Sequence, residues 1–164
     1  MLPVDPSDSR FAFCVPIILK WEGGLHTDPN DPGGTTNFGI SQRAYPNLNI
    51  STLTVTDAEQ IYYNDYWLAS GCKLMPSGNL DLFLFNFSVT SGVAEAIRCL
   101  QRMLGVNADG NFGPITKAAL VRYPAAQQTN YMTQCVRSYE QDADYALYAN
   151  GWLNRLFAIA ATKS

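Results

Sequence analysis

A run of turn residues directly after the first apolar segment fixes where the first helix of this chain must end. Gly23 and Gly24 stand at that point, and Pro29, Pro32, Gly33, Gly34 and Gly39 follow before Ile40. Proline locks φ and lacks a donor, and glycine reaches backbone conformations that side chains forbid, so no helix runs through these residues. Upstream, Phe11, Cys14, Val15, Ile18 and Glu22 recur at the i, i+3, i+4, i+7 and i+11 positions, one face of a helix over residues 11–22. Pro16 fits a first helical turn or a kink, so the helix either bends there or starts near Val15. Ile18 and Glu22 share a face in both cases. Rigid turn chemistry at a helix end is suited to shaping a ligand site.

Glu22 extends the apolar stripe into the last helical turn. Burial and the negative helix end both disfavour an ionised carboxylate there. A carboxylic acid that keeps its proton is what protonating a leaving sugar oxygen requires. The loop adds a second acid, Asp31, and the hydroxyls of Thr35 and Thr36. Two acids in unlike surroundings are the minimum equipment for breaking a glycosidic bond. The plainer readings are a solvated acid closing an ordinary helix and a surface turn. A calcium loop is disfavoured, because Pro32 stands where the third alternating oxygen donor would be.

Glu22-Gly23-Gly24, Asp31-Pro32-Gly33-Gly34 and Thr36-Asn37-Phe38-Gly39-Ile40 resemble the signature of glycoside hydrolase family 108. That family comprises bacterial and phage N-acetylmuramidases of the lysozyme-like superfamily, some described as secretion activators. Asp57-Ala58-Glu59-Gln60-Ile61-Tyr62 with Tyr66-Trp67 is similar to its second helix. Leu100-Gln101, Leu104-Gly105, Asp109-Gly110, Gly113 and Thr116 resemble its peptidoglycan-binding-like half, and Gly151-Trp152 with Arg155 its closing motif. The resemblance covers roughly residues 11–157 and implies Glu22 as the catalytic acid. By the spacing of phage-type lysozymes it implies that Asp31 and Thr36 position water or stabilise positive charge at the sugar, with Thr35 the alternative to Thr36. His26, Thr35, Asn37, Tyr62, Tyr66 and Trp67 are the substrate-binding candidates. The chain departs from the family at Phe85-Asn86 and Val89-Thr90-Ser91-Gly92, where Phe-Asp and Val-Asn-Gly-like residues are usual. Asn86 and Thr90 keep hydrogen-bonding capacity and lose a charge.

The expected fold is all-α, a lysozyme-like helical bundle with a glycine-rich active-site loop after the first helix. At 164 residues it fits one domain, read as a catalytic half over 11–92 and a peptidoglycan-binding-like helical half over 93–164. With 47% apolar and 15% charged residues the composition is globular. No apolar run is long enough to span a bilayer, and the short apolar segment around Pro16 is no secretory signal, which implies synthesis in the cytoplasm and action on the bacterial cell wall (periplasm) after release. A net charge of −3 argues against nucleic acid as partner. Cys14, Cys72, Cys99 and Cys135 are scattered and His26 is the single histidine, so no metal site is expected and no cofactor is implied. The cysteines read as small buried hydrophobes, with one disulfide after export as the alternative.

The remaining pattern is helical. Thr56-Asp57-Ala58-Glu59 reads as a capping box opening a helix to about Ala69, which carries Tyr62, Tyr63, Tyr66 and Trp67. Aromatic faces stack on sugars, although core packing is their commoner fate. Residues 80–87 are apolar nearly all round and are read as a buried central helix rather than a strand. Residues 93–104 form an amphipathic helix ended by Gly105, and a turn at Asp109-Gly110 leads to a helix starting at Pro114. Residues 125–148 read as one long helix, with a final docked helix from Trp152. Arg137 and Arg155 are either solvated or ion-pair partners of Glu22.

These readings converge on a monomeric peptidoglycan hydrolase acting on glycan strands by acid catalysis from Glu22. The alternatives are a non-catalytic peptidoglycan-binding or secretion-associated module, and a chitinase-like glycan hydrolase.

Overall fold

The computed structural model describes residues 1–27, 34–76, 78–123 and 128–162. Helices dominate, with one small sheet, and the chain divides into two compact units, Met1–Asp65 and Tyr66–Ser164.

The first unit is built on helix α1, Ser9–Glu22. Asp8 caps it, its Oδ1 accepting from the Phe11 amide at 3.0 Å. Phe11, Cys14, Val15 and Ile18 are buried, as the spacing requires. The helix starts well before Val15 and keeps Pro16 inside it. Ala12 and Pro16 are both exposed, so the Ala12 carbonyl that loses its helical donor to the proline lies on the solvent side. Beyond α1, strands β1 (His26–Thr27), β2 (Thr35–Asn37) and β3 (Ile40–Ser41) form an antiparallel sheet in that order. It is an addition to the all-helical expectation.

Helix α2, Val55–Tyr62, begins two residues earlier than the sequence suggested. Thr54 is the cap: its Oγ1 accepts from the Asp57 amide at 3.2 Å, and Asp57 Oδ2 accepts from the Thr54 amide at 3.0 Å. Asp57 thus takes the role assigned to Glu59. The chain continues as a π-helical turn over Tyr63–Leu68. Tyr63 packs edge-on against Phe11, ring centres 4.8 Å apart.

In the second unit, α3 (Leu80–Ser91) is a helix buried at every position from Leu80 to Ser88. Around it lie α4 (Val93–Leu104), α6 (Gln128–Glu140) and α7 (Tyr145–Ala160), and α5 (Pro114–Arg122) packs on α4. Gly105 ends α4 and Pro114 opens α5. The loop between them hangs on buried Gln101: its Nε2 donates to Asp109 Oδ1 at 2.7 Å and its Oε1 accepts from the Gly110 amide at 2.9 Å. The single long helix expected to run to Tyr148 is two. Asp142 Oδ1 accepts from the Asp144 amide at 2.9 Å, and this local side-chain bond competes with the helical ladder and turns the chain between α6 and α7. Trp152 consequently sits within α7 rather than at its start. Cys14, Cys72, Cys99 and Cys135 are all buried.

Two tests arise here. Gly71 has φ 80°, and a Cβ there would lie 2.5 Å from ring atoms of Phe112. Gly71→Ala is expected to cost about 2–4 kcal/mol, combining left-handed strain with overpacking, and thermal unfolding measures it. Glu95 takes bonds from Arg102 Nη1 at 3.0 Å and Ser138 Oγ at 2.9 Å, joining α4 to α6. Burial alone would raise its carboxyl, but the Arg102 and Ser138 hydrogen bonds, the Arg102 charge and Arg98 outweigh it and hold Glu95 below the ordinary 4.5. A depressed folded value means that this stability is present above pH 4.5 and is lost as pH falls through the lower folded value. The stability gap between the parent and Glu95→Gln should therefore shrink in that acid window. Solvent access to the pair keeps the gap small.

Candidate active site

Glu22 occupies the last turn of α1 and is half-buried, with its Oε1 buried. What it packs on follows from the hairpin that joins β2 to β3. Asn37 pairs with Ile40, leaving Phe38 and Gly39 as a two-residue loop with φ of 50° and 74°. Positive φ at both central residues defines the type I′ turn, whose twist matches that of the flanking strands. The turn is held by Tyr62, whose hydroxyl donates to the Phe38 carbonyl at 2.8 Å.

Gly39 is where the turn meets the acid. A Cβ built there would overlap Glu22 Oε2 and lie 3.0 Å from the Tyr62 hydroxyl and 3.1 Å from Glu22 Cβ. The glycine therefore serves twice, supplying left-handed backbone and letting the carboxylate lie against its Cα. Helix end, hairpin tip and tyrosine hydroxyl meet at one carboxyl group.

The other candidates divide. Thr36 pairs with His26 on one side and Ser41 on the other, and is half-buried. Thr35 shares its strand face with Asn37, and its Oγ1 lies 3.3 Å from that of Thr27. His26 is exposed on β1. Asp31 lies outside the described residues.

Burial separates the remaining substrate-binding candidates. The Asn37 side chain is buried, and its Nδ2 donates to the carbonyls of Ile50 at 3.3 Å and Leu53 at 3.2 Å, so it braces the sheet. Tyr62 is only 1% exposed, leaving no ring face for a sugar; its contribution is the hydroxyl. Trp67, in the second unit, is wholly buried and meets Phe85 edge-on at 5.3 Å, a core role. Tyr66, beside it, is half-buried.

Arg155 is buried, and its Nε donates to Asn86 Oδ1 at 2.6 Å, while Arg137 is exposed. The amide at Asn86, where the family usually has an acid, thus serves the interior of the second unit. The tie from Tyr62 to Phe38 was missed from sequence; Phe38-Gly39 between two short strands was the available signal. Gln42, which donates to the Leu48 carbonyl at 2.7 Å and fixes the chain after β3, left no signal at all. Among the described residues no three His, Cys, Asp or Glu side chains gather as a metal site would require.

Comparison with protein families matches residues 15–92 to the model described as Glycosyl hydrolase 108. Residues 95–157 match the one described as Predicted Peptidoglycan domain. These two matches support the resemblance to the glycosyl hydrolase 108 family. Among solved structures it is similar to that of Brucella abortus SagA, at 28% identity and a TM-score of 0.82, over 93% of this chain and 92% of that one. No curated protein matches it. The glycosyl hydrolase 108 match takes in the second half of α1 with Glu22, the hairpin and Gly39, and ends after α3; the peptidoglycan domain match runs from within α4 through most of α7. The fold is the mostly helical, lysozyme-like class, and the function is peptidoglycan-related.

Proposed function

We propose that this chain is an endolysin-type N-acetylmuramidase, cleaving the β-1,4 bond between N-acetylmuramic acid and N-acetylglucosamine with Glu22 as general acid. The observation that carries the reading is the seat of Glu22: a half-buried carboxyl at a helix C-terminus, pressed onto the Gly39 backbone of a type I′ turn. A group so held has one orientation to offer an incoming bond. Its proton passes to the leaving glycosidic oxygen, the bond to the anomeric carbon breaks, and positive charge spreads over carbon and ring oxygen. Water then attacks that carbon and gives up a proton. Asp31 and Thr36 are assigned to position that water or steady the charge, with Thr35 the alternative to Thr36.

His26, exposed on the strand paired with Thr36, and half-buried Tyr66 remain as sugar contacts in this reading. Residues 11–92 would form the catalytic half and 93–164 the half that engages the wall. The enzyme would be made in the cytoplasm, reach the periplasm on release and act as a monomer.

A cheap assay separates hydrolase from binder. Suspensions of purified peptidoglycan should lose turbidity on adding the protein. A pure binding module would sediment with the walls and leave them intact, and clearing of chitin in place of peptidoglycan would reassign the substrate.

A further inference from the structure

The peptidoglycan domain holds a column of aromatic rings that the catalytic reading does not use. Tyr139 on α6 is buried, and its hydroxyl lies 3.2 Å from Thr90 Oγ1 on α3, which anchors the base of the column. Trp152 on α7 stacks on Tyr139 with ring centres 4.9 Å apart and 24° between planes. Tyr148, one helical turn before it, follows at 5.9 Å and 35°. The column runs from the core to the surface and ends in a ring that is 55% exposed.

Gly151 stands between the two outer rings in sequence, inside α7. A glycine in a helix interior costs stability relative to alanine and is kept where packing or close approach demands it. Packing does not demand it here, because a Cβ built at Gly151 meets nothing within 4 Å. Its effect is to leave open space on α7 between Tyr148 and Trp152 in sequence. Around it, residues 145–154 carry no charge, and Asn150 and Asn154 are exposed on successive turns. Flat aromatic faces flanked by neutral amides suit an uncharged, N-acetylated ring; an anionic polymer would call for cations.

We infer that Tyr148 and Trp152, with the gap at Gly151, form a glycan subsite on α7 that stacks one N-acetylated pyranose of the peptidoglycan strand. The inference rests on the peptidoglycan reading above and adds to it a second point of attachment, separate in sequence from the Glu22 loop. Leu147, exposed on the same helix, widens the apolar surface beside Tyr148.

The test uses the full chain carrying Glu22→Gln, so that walls are bound without being consumed. Bound protein is measured by sedimentation with purified peptidoglycan. Tyr148→Ala and Gly151→Leu, which respectively remove and cover the outer ring face, should each weaken binding by about five-fold or more, the scale of one aromatic stacking contact. Neither should lower the thermal midpoint, since one side chain is exposed and the other position has open space. Peptide-free glycan strands should compete for the bound protein. Unchanged binding in both variants overturns the subsite, as does competition by stem peptides alone. A concentration-dependent dimer that Tyr148→Ala abolishes, with wall binding intact, would give the surface to a second copy instead. If the wild-type chain neither clears nor sediments with walls, the peptidoglycan reading itself fails; if it does either and the variants match it, the subsite alone fails.

Discussion

Glu22→Gln should reduce peptidoglycan clearing by at least ~100-fold while leaving the protein folded and still able to sediment with walls. Glutamine keeps the shape and volume of the side chain, so its contact with Gly39 and its burial survive. What it lacks is a transferable proton. Without protonation the leaving sugar would depart as an alkoxide, and the magnitude quoted is the lower end of what a positioned acid contributes. The result is sharpened by where Glu22 sits. The side chain closes α1 beyond the buried residues Phe11, Cys14, Val15 and Ile18, so a large activity loss should come with little change in melting temperature. A variant that clears walls at the parental rate would remove the acid role from Glu22 altogether.

Gly39→Ala is expected to do comparable damage by a different route. Alanine at φ 74° costs about 1–2 kcal/mol in backbone strain. The larger effect is steric: its methyl would overlap Glu22 Oε2 and crowd the Tyr62 hydroxyl, and either the carboxyl or the turn must move. A displacement on the order of 1 Å at a reacting group can cost ~100-fold in rate. Turnover of Gly39→Ala should thus fall by up to ~100-fold at a temperature where circular dichroism shows it folded. Full activity would mean that Glu22 does not depend on the turn for its position.

Much of this was legible from the chain, for identifiable reasons. The α1 stripe is readable because a 3.6-residue period leaves few alternatives, whereas Gly39 is one of several loop glycines suited to close approach and nothing in the sequence singles it out. The capping box was placed two residues late because Thr54 and Asp57 repeat the spacing of Thr56 and Glu59, and composition cannot choose between them. The break between α6 and α7 was hidden because Asp142 and Asp144 look like ordinary exposed helix residues until the Asp142 side chain bonds the backbone.

Aromatic roles were the least readable. Trp67 and Trp152 are equally suited to stacking on a sugar, but one is sealed inside against Phe85 and the other belongs to a column that reaches the surface. Periodicity ranks faces of a helix and says nothing of which face a neighbouring helix will cover. The Asn86–Arg155 bond, spanning 69 positions in sequence, is likewise a product of packing α3 beside α7.

Reducing-end analysis of the digest bears most directly on Glu22 and its bond. Peptidoglycan treated with the parent protein, reduced with borohydride and examined by mass spectrometry should release fragments ending in reduced N-acetylmuramic acid, and the Glu22→Gln protein should release none above the untreated control. Fragments ending in reduced N-acetylglucosamine, or the same products from both proteins, would contradict acid catalysis of muramidase cleavage by Glu22.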